Sequence, residues 1–239
     1  MHIAICFFGL TRSLKLTIES IENNIFKVLS SNNIQFTKFI HTYNLNELTN
    51  HRSREYCCKL DINEYKLLHC DHEIITDQNE FLKTIDIENY KKHGDPWNDN
   101  FKSLKNFLCQ LNSLKLVTEM WKNTKDKFDL VLYIRPDLQY NQLCINDLFM
   151  SYNDHCVLTP SFHMFGGLND RIAIGPPDYM HIYGYRLLLA DSYSIFNKLH
   201  SETFLKHVIT SNNVKHRSTF KLMGKRVRAN GMIVDGELF

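Results

Sequence analysis

The sequence predicts a single α/β domain with a mostly parallel central sheet flanked by helices on both faces. Three observations lead there. The chain opens with a strand, a short glycine-containing turn, a helix and a second strand, the unit from which parallel sheets are built. A long amphipathic helical pattern at 101–121 runs straight into a wholly apolar stretch, Leu130-Val131-Leu132-Tyr133-Ile134. The C-terminal half then alternates short apolar strands with helical patterns.

The elements follow in order. Residues 3–8 form an apolar run closed by Gly9, and from Ser13 the period changes. Leu14, Ile18, Ile21, Ile25, Val28 and Leu29 recur at helical spacing, with Ser13 as the expected N-cap. Asn32-Asn33 ends that helix, and residues 34–40 alternate as a second strand. A helix is expected over 45–58 and a further strand within 64–75. Gly, Pro, Asp and Asn crowd residues 93–100, which must be a loop. After strand 130–134, HCVLTP and DRIAIG read as strands, and Asp178 as the N-cap of a helix reaching about residue 199. No internal repeat or domain boundary is visible, so one domain is expected over 1–239, with 1–140 as the nucleotide-binding part and 141–239 as the acceptor part.

Composition bounds the function. At 44% hydrophobic and 23% charged, this is the balance of a soluble globular chain. A net charge of +2 is too small for bulk nucleic-acid binding. The first apolar run is too short for a signal peptide, and none approaches the roughly 18 residues of a membrane span. Seven cysteines without CxxC spacing fit a reducing compartment, and a cytoplasmic location is expected. His69-Cys70-Asp71-His72 matches no zinc spacing.

Four stretches carry candidate chemistry. In Phe7-Phe8-Gly9-Leu10-Thr11-Arg12-Ser13 the first strand-to-helix turn offers Gly9, free N–H groups, and Thr11, Arg12 and Ser13 as donors for a phosphate. It is neither a Walker loop nor GxGxxG, and a tight turn with a solvated arginine would look the same. Arg135-Pro136-Asp137 ends a buried strand, where alternation puts Arg135 and Asp137 on one side. Asp137 there suits a divalent cation, although a surface Arg–Asp pair is the plainer alternative. Asn169-Asp170-Arg171 follows a glycine pair and could bind a sugar or supply a base. Glu202 opens a helix, where it could merely offset the dipole, and Lys221, Lys225, Arg226 and Arg228 form a basic cluster suited to phosphate or to solvent.

Taken in order, Gly9-Leu10-Thr11-Arg12, Arg135-Pro136-Asp137-Leu138, Asn169 through Gly175, and Ser201-Glu202-Thr203-Phe204-Leu205 resemble the motifs of GT-A-type glycosyltransferases. The likeness is to bacterial lipopolysaccharide- and capsule-type sugar transferases and their relatives in large DNA viruses. It implies a nucleotide-sugar donor held by Gly9, Thr11, Arg12, Ser13, Arg135 and Arg171, and a glycan or glycoconjugate acceptor. It also implies Mn²⁺ or Mg²⁺ on Asp137, at the place of an Asp-x-Asp motif. Here Arg135 replaces the first acid, so a guanidinium could meet the diphosphate directly.

The expected reaction transfers a sugar to an acceptor hydroxyl, with Asp170 first and Glu202 second as candidate bases. Two rivals stand beside it: a sugar-phosphate nucleotidyltransferase, and a non-catalytic nucleic-acid-binding protein using the basic 215–228 segment.

Overall fold

In the computed structural model, which describes residues 1–234, the first apolar run becomes β1 (His2–Phe8), buried on both faces. The helical period that follows forms α1 (Leu14–Ile21), a π-helical turn at Glu22–Phe26, and α2 (Lys27–Ser31). Ser13 holds the N-cap position, but its hydroxyl donates to Val227 O at 2.8 Å. The buried Glu64 carboxylate accepts the Lys15 N–H at 2.8 Å instead, so a distant side chain caps this helix. β2 (Gln35–Tyr43) runs parallel to β1.

The helix expected over 45–58 is a hairpin: β3 (Glu47–Asn50), a 3₁₀ turn and β4 (Glu55–Lys59), paired antiparallel. Polar Thr49, Asn50 and Ser53 interrupt any apolar stripe, Arg54 turns the chain at φ 55°, and Glu55 is drawn inward by Arg12. β5 (His72–Thr76) falls inside 64–75 to within a residue, and α3 (Gln78–Lys83) follows. α4 (Lys102–Lys122) leads into β6 (Leu130–Ile134) and β7 (Leu138–Tyr140). Then come α5 (Ile145–Asp154), β8 (Val157–Pro160) and β9 (Ile172–Gly175).

The single helix expected from Asp178 is two, α6 (Pro177–Gly184) and α7 (Leu187–Ser194), and Asp178 lies in the first turn rather than at the cap. The break has a packing cause. A Cβ on Gly184 would meet Thr118 Oγ1 at 2.0 Å, and the wholly buried Arg186 donates to Tyr183 O at 2.9 Å across the junction. α8 (Ser201–Ser211), β10 (His216–Thr219) and β11 (Gly224–Arg226) complete the described chain.

Seven strands form one sheet in the order β10-β8-β9-β6-β1-β2-β5, parallel except where β9 runs against β6 and β8. Side-chain alternation along β1 divides the core. Ile3, Ile5 and Phe7 pack with α1, α2 and α5 on one face. Ala4, Cys6 and Phe8 pack with α4, α6 and α8 on the other. The architecture is thus mixed α/β with helices on both faces, and the sheet takes strands from both sides of residue 140. No helix among the described residues is long and apolar enough to cross a membrane.

Two registers position the site. Phe7 pairs with Ile134 and Phe8 with His41, so β1, β2 and β6 end together. The Gly9–Ser13 turn and the Arg135–Asp137 exit therefore meet at the carboxyl edge of the sheet, where open α/β sheets bind ligands.

Candidate active site

The first turn is pinned from beneath. Gly9 takes φ +95°, a conformation glycine adopts without a Cβ penalty, and donates its N–H to Ser113 Oγ at 2.8 Å. The Ser113 hydroxyl donates to His41 O at 3.0 Å, and His41 Nδ1 lies 2.7 Å from the same hydroxyl. Burial pushes His41 down to about 4, so the ring is neutral at ordinary pH. Two of the groups expected to receive a phosphate, the Gly9 amide and the Ser13 hydroxyl, are thus committed to the protein itself. Thr11 and Arg12 line a small concavity with Leu10, Tyr43, Asp61 and Ile62.

The Arg12 guanidinium bonds to carboxylates at the strand ends. Its Nη2 and Nε donate to Asp137 Oδ2 at 2.7 and 3.2 Å, and its Nη1 to Glu55 Oε2 at 3.2 Å. Arg135 forks onto the same carboxylate, Nε to Oδ1 and Nη2 to Oδ2, each at 2.8 Å. Asp137 and Glu55 are fully buried. Burial would raise the Asp137 carboxyl, but the Arg135 and Arg12 charges outweigh it and hold it well below the usual carboxylate range. Glu55 Oε2 also accepts the Ser53 hydroxyl, and Glu55 Oε1 accepts the Ala229 N–H at 2.8 Å.

The chain of contacts continues through Gln110 of α4. Its Oε1 accepts from Arg135 Nη1, and its Nε2 donates to Asp170 Oδ2 at 2.8 Å. Asp170 sits in the 166–171 loop, held by Asn169, whose Nδ2 donates to Phe162 O at 2.9 Å and whose Oδ1 accepts the Arg171 N–H at 3.0 Å. That loop presses against the start of α8: Leu168 N–H donates to Glu202 O at 3.0 Å, and a Cβ on Gly167 would lie 1.9 Å from that oxygen. Glu202 accepts the Ser201 hydroxyl and lies 3.4 Å from His200 Nδ1. Burial first, and the neighbouring Asp170 charge second, push Glu202 up to about 7, while Arg171 opposes the rise.

The structure therefore brings Arg12, Arg135, Asp137, Asp170, Arg171 and Glu202 into one largely buried polar cluster, with the buried Gly9, Thr11 and Ser13 in the turn beside it. Sequence reasoning missed Glu55, Gln110 and the Ser113–His41 support. Gln110 carried a signal, being a polar residue three past Phe107 and four before Leu114 on the buried stripe of α4. Glu55 carried none. The basic cluster is divided: Lys221 is exposed, while Arg226 and Arg228 are half-buried against the site.

A divalent ion of the Mn²⁺ or Mg²⁺ type needs several oxygen lone pairs turned to one point. Asp137 cannot offer them here. Its oxygens accept four N–H donors from two guanidiniums, the side chain has no exposure, and Arg135 stands where a second acid would be. No group of three or more His, Cys, Asp or Glu side chains among the described residues could hold a metal. The donor set does not fit the ion.

No protein-family model matches this chain, and no curated protein matches it. Among solved structures it is similar to mouse xyloside xylosyltransferase 1 in its apo form, at 14% identity and TM-score 0.45 over 91% of this chain and 84% of that one. It is similar to an active-site mutant of LgtC at 10% identity and TM-score 0.47, over 90% of this chain and 72% of that one. A third likeness is to the apo glycosyltransferase GlyE of Streptococcus pneumoniae TIGR4, at 11% identity and TM-score 0.42, over 90% of this chain and 44% of that one. These scores describe a general likeness of shape, and the chemistry below rests on the residues of the site.

Proposed function

We propose that this chain is a glycosyltransferase that moves a sugar from a nucleoside-diphosphate sugar to an acceptor hydroxyl. One observation carries the reading: a continuous run of hydrogen bonds, Arg12 to Asp137 to Arg135 to Gln110 to Asp170, joins fixed cations at the strand ends to a carboxylate pair. Sugar transfer needs both ends of such a run. As the bond between the anomeric carbon and the diphosphate breaks, its electron pair leaves with the diphosphate, where fixed positive charge lowers the barrier. The acceptor oxygen forms the new bond to the anomeric carbon and must give up its proton.

Glu202 is suited to take that proton, because a carboxylate raised to about 7 is a stronger base than an ordinary one and is still half ionised at neutral pH. Asp170 raises it and is itself oriented by Gln110. The concavity beside Leu10, Thr11, Tyr43 and Asp61 offers an apolar wall and polar groups for the nucleoside.

The test is release of nucleoside diphosphate from a panel of nucleotide sugars with hydroxyl acceptors, run beside a nucleoside triphosphate with sugar phosphate. Transfer in the first arm, lost in Asp170→Asn and Glu202→Gln, is expected. Turnover in the second arm alone would assign nucleotidyl transfer instead.

A further inference from the structure

We propose that the guanidinium groups of Arg12, Arg135 and Arg228 take the place of a divalent cation, so that the nucleoside diphosphate binds here without metal. This rests on the sugar-transfer reading for the identity of the anion. The charge at the strand ends carries the inference. Among the described residues, three cations, Arg12, Arg135 and Arg228, lie against two buried carboxylates, Asp137 and Glu55, in a poorly hydrated place, with Asp170 acting on Arg135 from beyond Gln110.

The donors are not exhausted either. A guanidinium has five N–H groups. Arg12 commits three nitrogens once each, to Asp137 twice and to Glu55, and Arg135 commits three likewise, to Asp137 twice and to Gln110. Among the described residues, both terminal nitrogens of each side chain therefore keep a second N–H for an anion.

Arg228 is the third of these cations. Its Nη1 approaches Glu55 Oε2 no closer than 4.0 Å, and its buried Nε has no hydrogen-bond partner among the described residues. Burial, with Arg12 as the next cause, pulls Arg228 down to about 10, as expected of a cation held among like charges. It is no loose surface arginine. The backbone on either side is fixed, Val227 N–H to Asp137 O at 2.9 Å and Ala229 N–H to Glu55 Oε1 at 2.8 Å, with the Ser13 hydroxyl on Val227 O at 2.8 Å.

Charge also says where the anion lies. Past Gln110 the site turns negative with Asp170 and Glu202, so a diphosphate is drawn to the Arg12–Arg228 side. The sugar that it carries then falls between the cations and the carboxylate pair. Asp137 keeps a role in this arrangement, because it orders two guanidiniums that would otherwise repel each other.

The experiment is calorimetric titration of the full chain with UDP, GDP, CDP and ADP separately, once in EDTA and once with Mn²⁺. One of them is expected to bind with about the same Kd in both conditions, and Arg228→Met to weaken that binding at least about tenfold in EDTA. Arg228→Lys, which keeps the charge, should weaken it less and guards against a folding defect, checked by the melting transition. Binding that appears only with Mn²⁺ would overturn the inference and leave the sugar-transfer reading standing. Binding in EDTA that Arg228→Met leaves unchanged would remove Arg228 from the cation set. Binding of none of the four in either condition would defeat the sugar-transfer reading, and the inference with it.

Discussion

Replacing Asp137 by Asn isolates the electrostatic centre of the site with little change of shape. The carboxylate has no exposed surface and accepts four guanidinium N–H bonds between 2.7 and 3.2 Å. Removing one member of a buried ion pair costs about 3–5 kcal/mol, because the partner charge stays buried without its match. Asn keeps one acceptor oxygen, so the lower end, about 3 kcal/mol, is expected. For a chain of this size that corresponds to a fall in Tm of roughly 6–12 °C. Adding Arg135→Met should recover part of the loss, since it removes a cation that the first change left unmatched. The pH dependence carries a sign. The folded Asp137 carboxyl lies below its unfolded value of about 3.9, so its contribution is complete above that pH and is lost as pH falls through the folded value. The gap between wild type and Asp137→Asn should therefore stay constant down to about pH 4 and begin to narrow below it. Thermal melts followed by circular dichroism from pH 7 to pH 3 measure this. A variant melting within about 2 °C of wild type at pH 7 would refute the buried network as described.

Three further outcomes follow from the same structure. Glu202→Gln should lower kcat by about 10²–10⁴ and abolish a rise in wild-type rate with pH through about 7, since the base works only when ionised. His41, pushed down to about 4 by burial, should make stability fall as pH drops below about 6.5, by about 3 kcal/mol at pH 4, and denaturant titrations of His41→Asn should lose that dependence. Gly167→Ala places a Cβ 1.9 Å from Glu202 O, and should destabilise by about 1–3 kcal/mol and displace the start of α8, read as a moved pH–rate profile.

Most of the scaffold was legible because local physics decides it. β1, β6 and α4 are long runs with a clean period, and each falls where its pattern places it. The failures have identifiable causes. The 45–58 segment reads as a weak helix until Arg12 draws Glu55 into the core, and that contact joins residues 43 positions apart. The 178–199 helix breaks because Gly184 must pass close to Thr118 and Tyr133, a packing demand invisible in a one-dimensional pattern. The candidate site was legible in its location but less so in its wiring. Asp137 and Arg135 drew notice by ending an apolar strand, yet that both oxygens of Asp137 are held by guanidiniums depends on Arg12, 125 positions away. Gln110, the link between the cations and the carboxylates, became evident only when α4 was set against the 166–171 loop.

Under the proposed function, one site both releases a nucleoside diphosphate and delivers a sugar. The most direct measurement follows the two products together, free nucleoside diphosphate by chromatography and acceptor mass by mass spectrometry, for wild type and a folded Glu202→Gln variant. The acceptor should gain the mass of one sugar residue for each diphosphate released, and both should fall together in the variant. Nucleoside diphosphate released with no acceptor gain, or an acceptor gain untouched by Glu202→Gln, would contradict the proposed function.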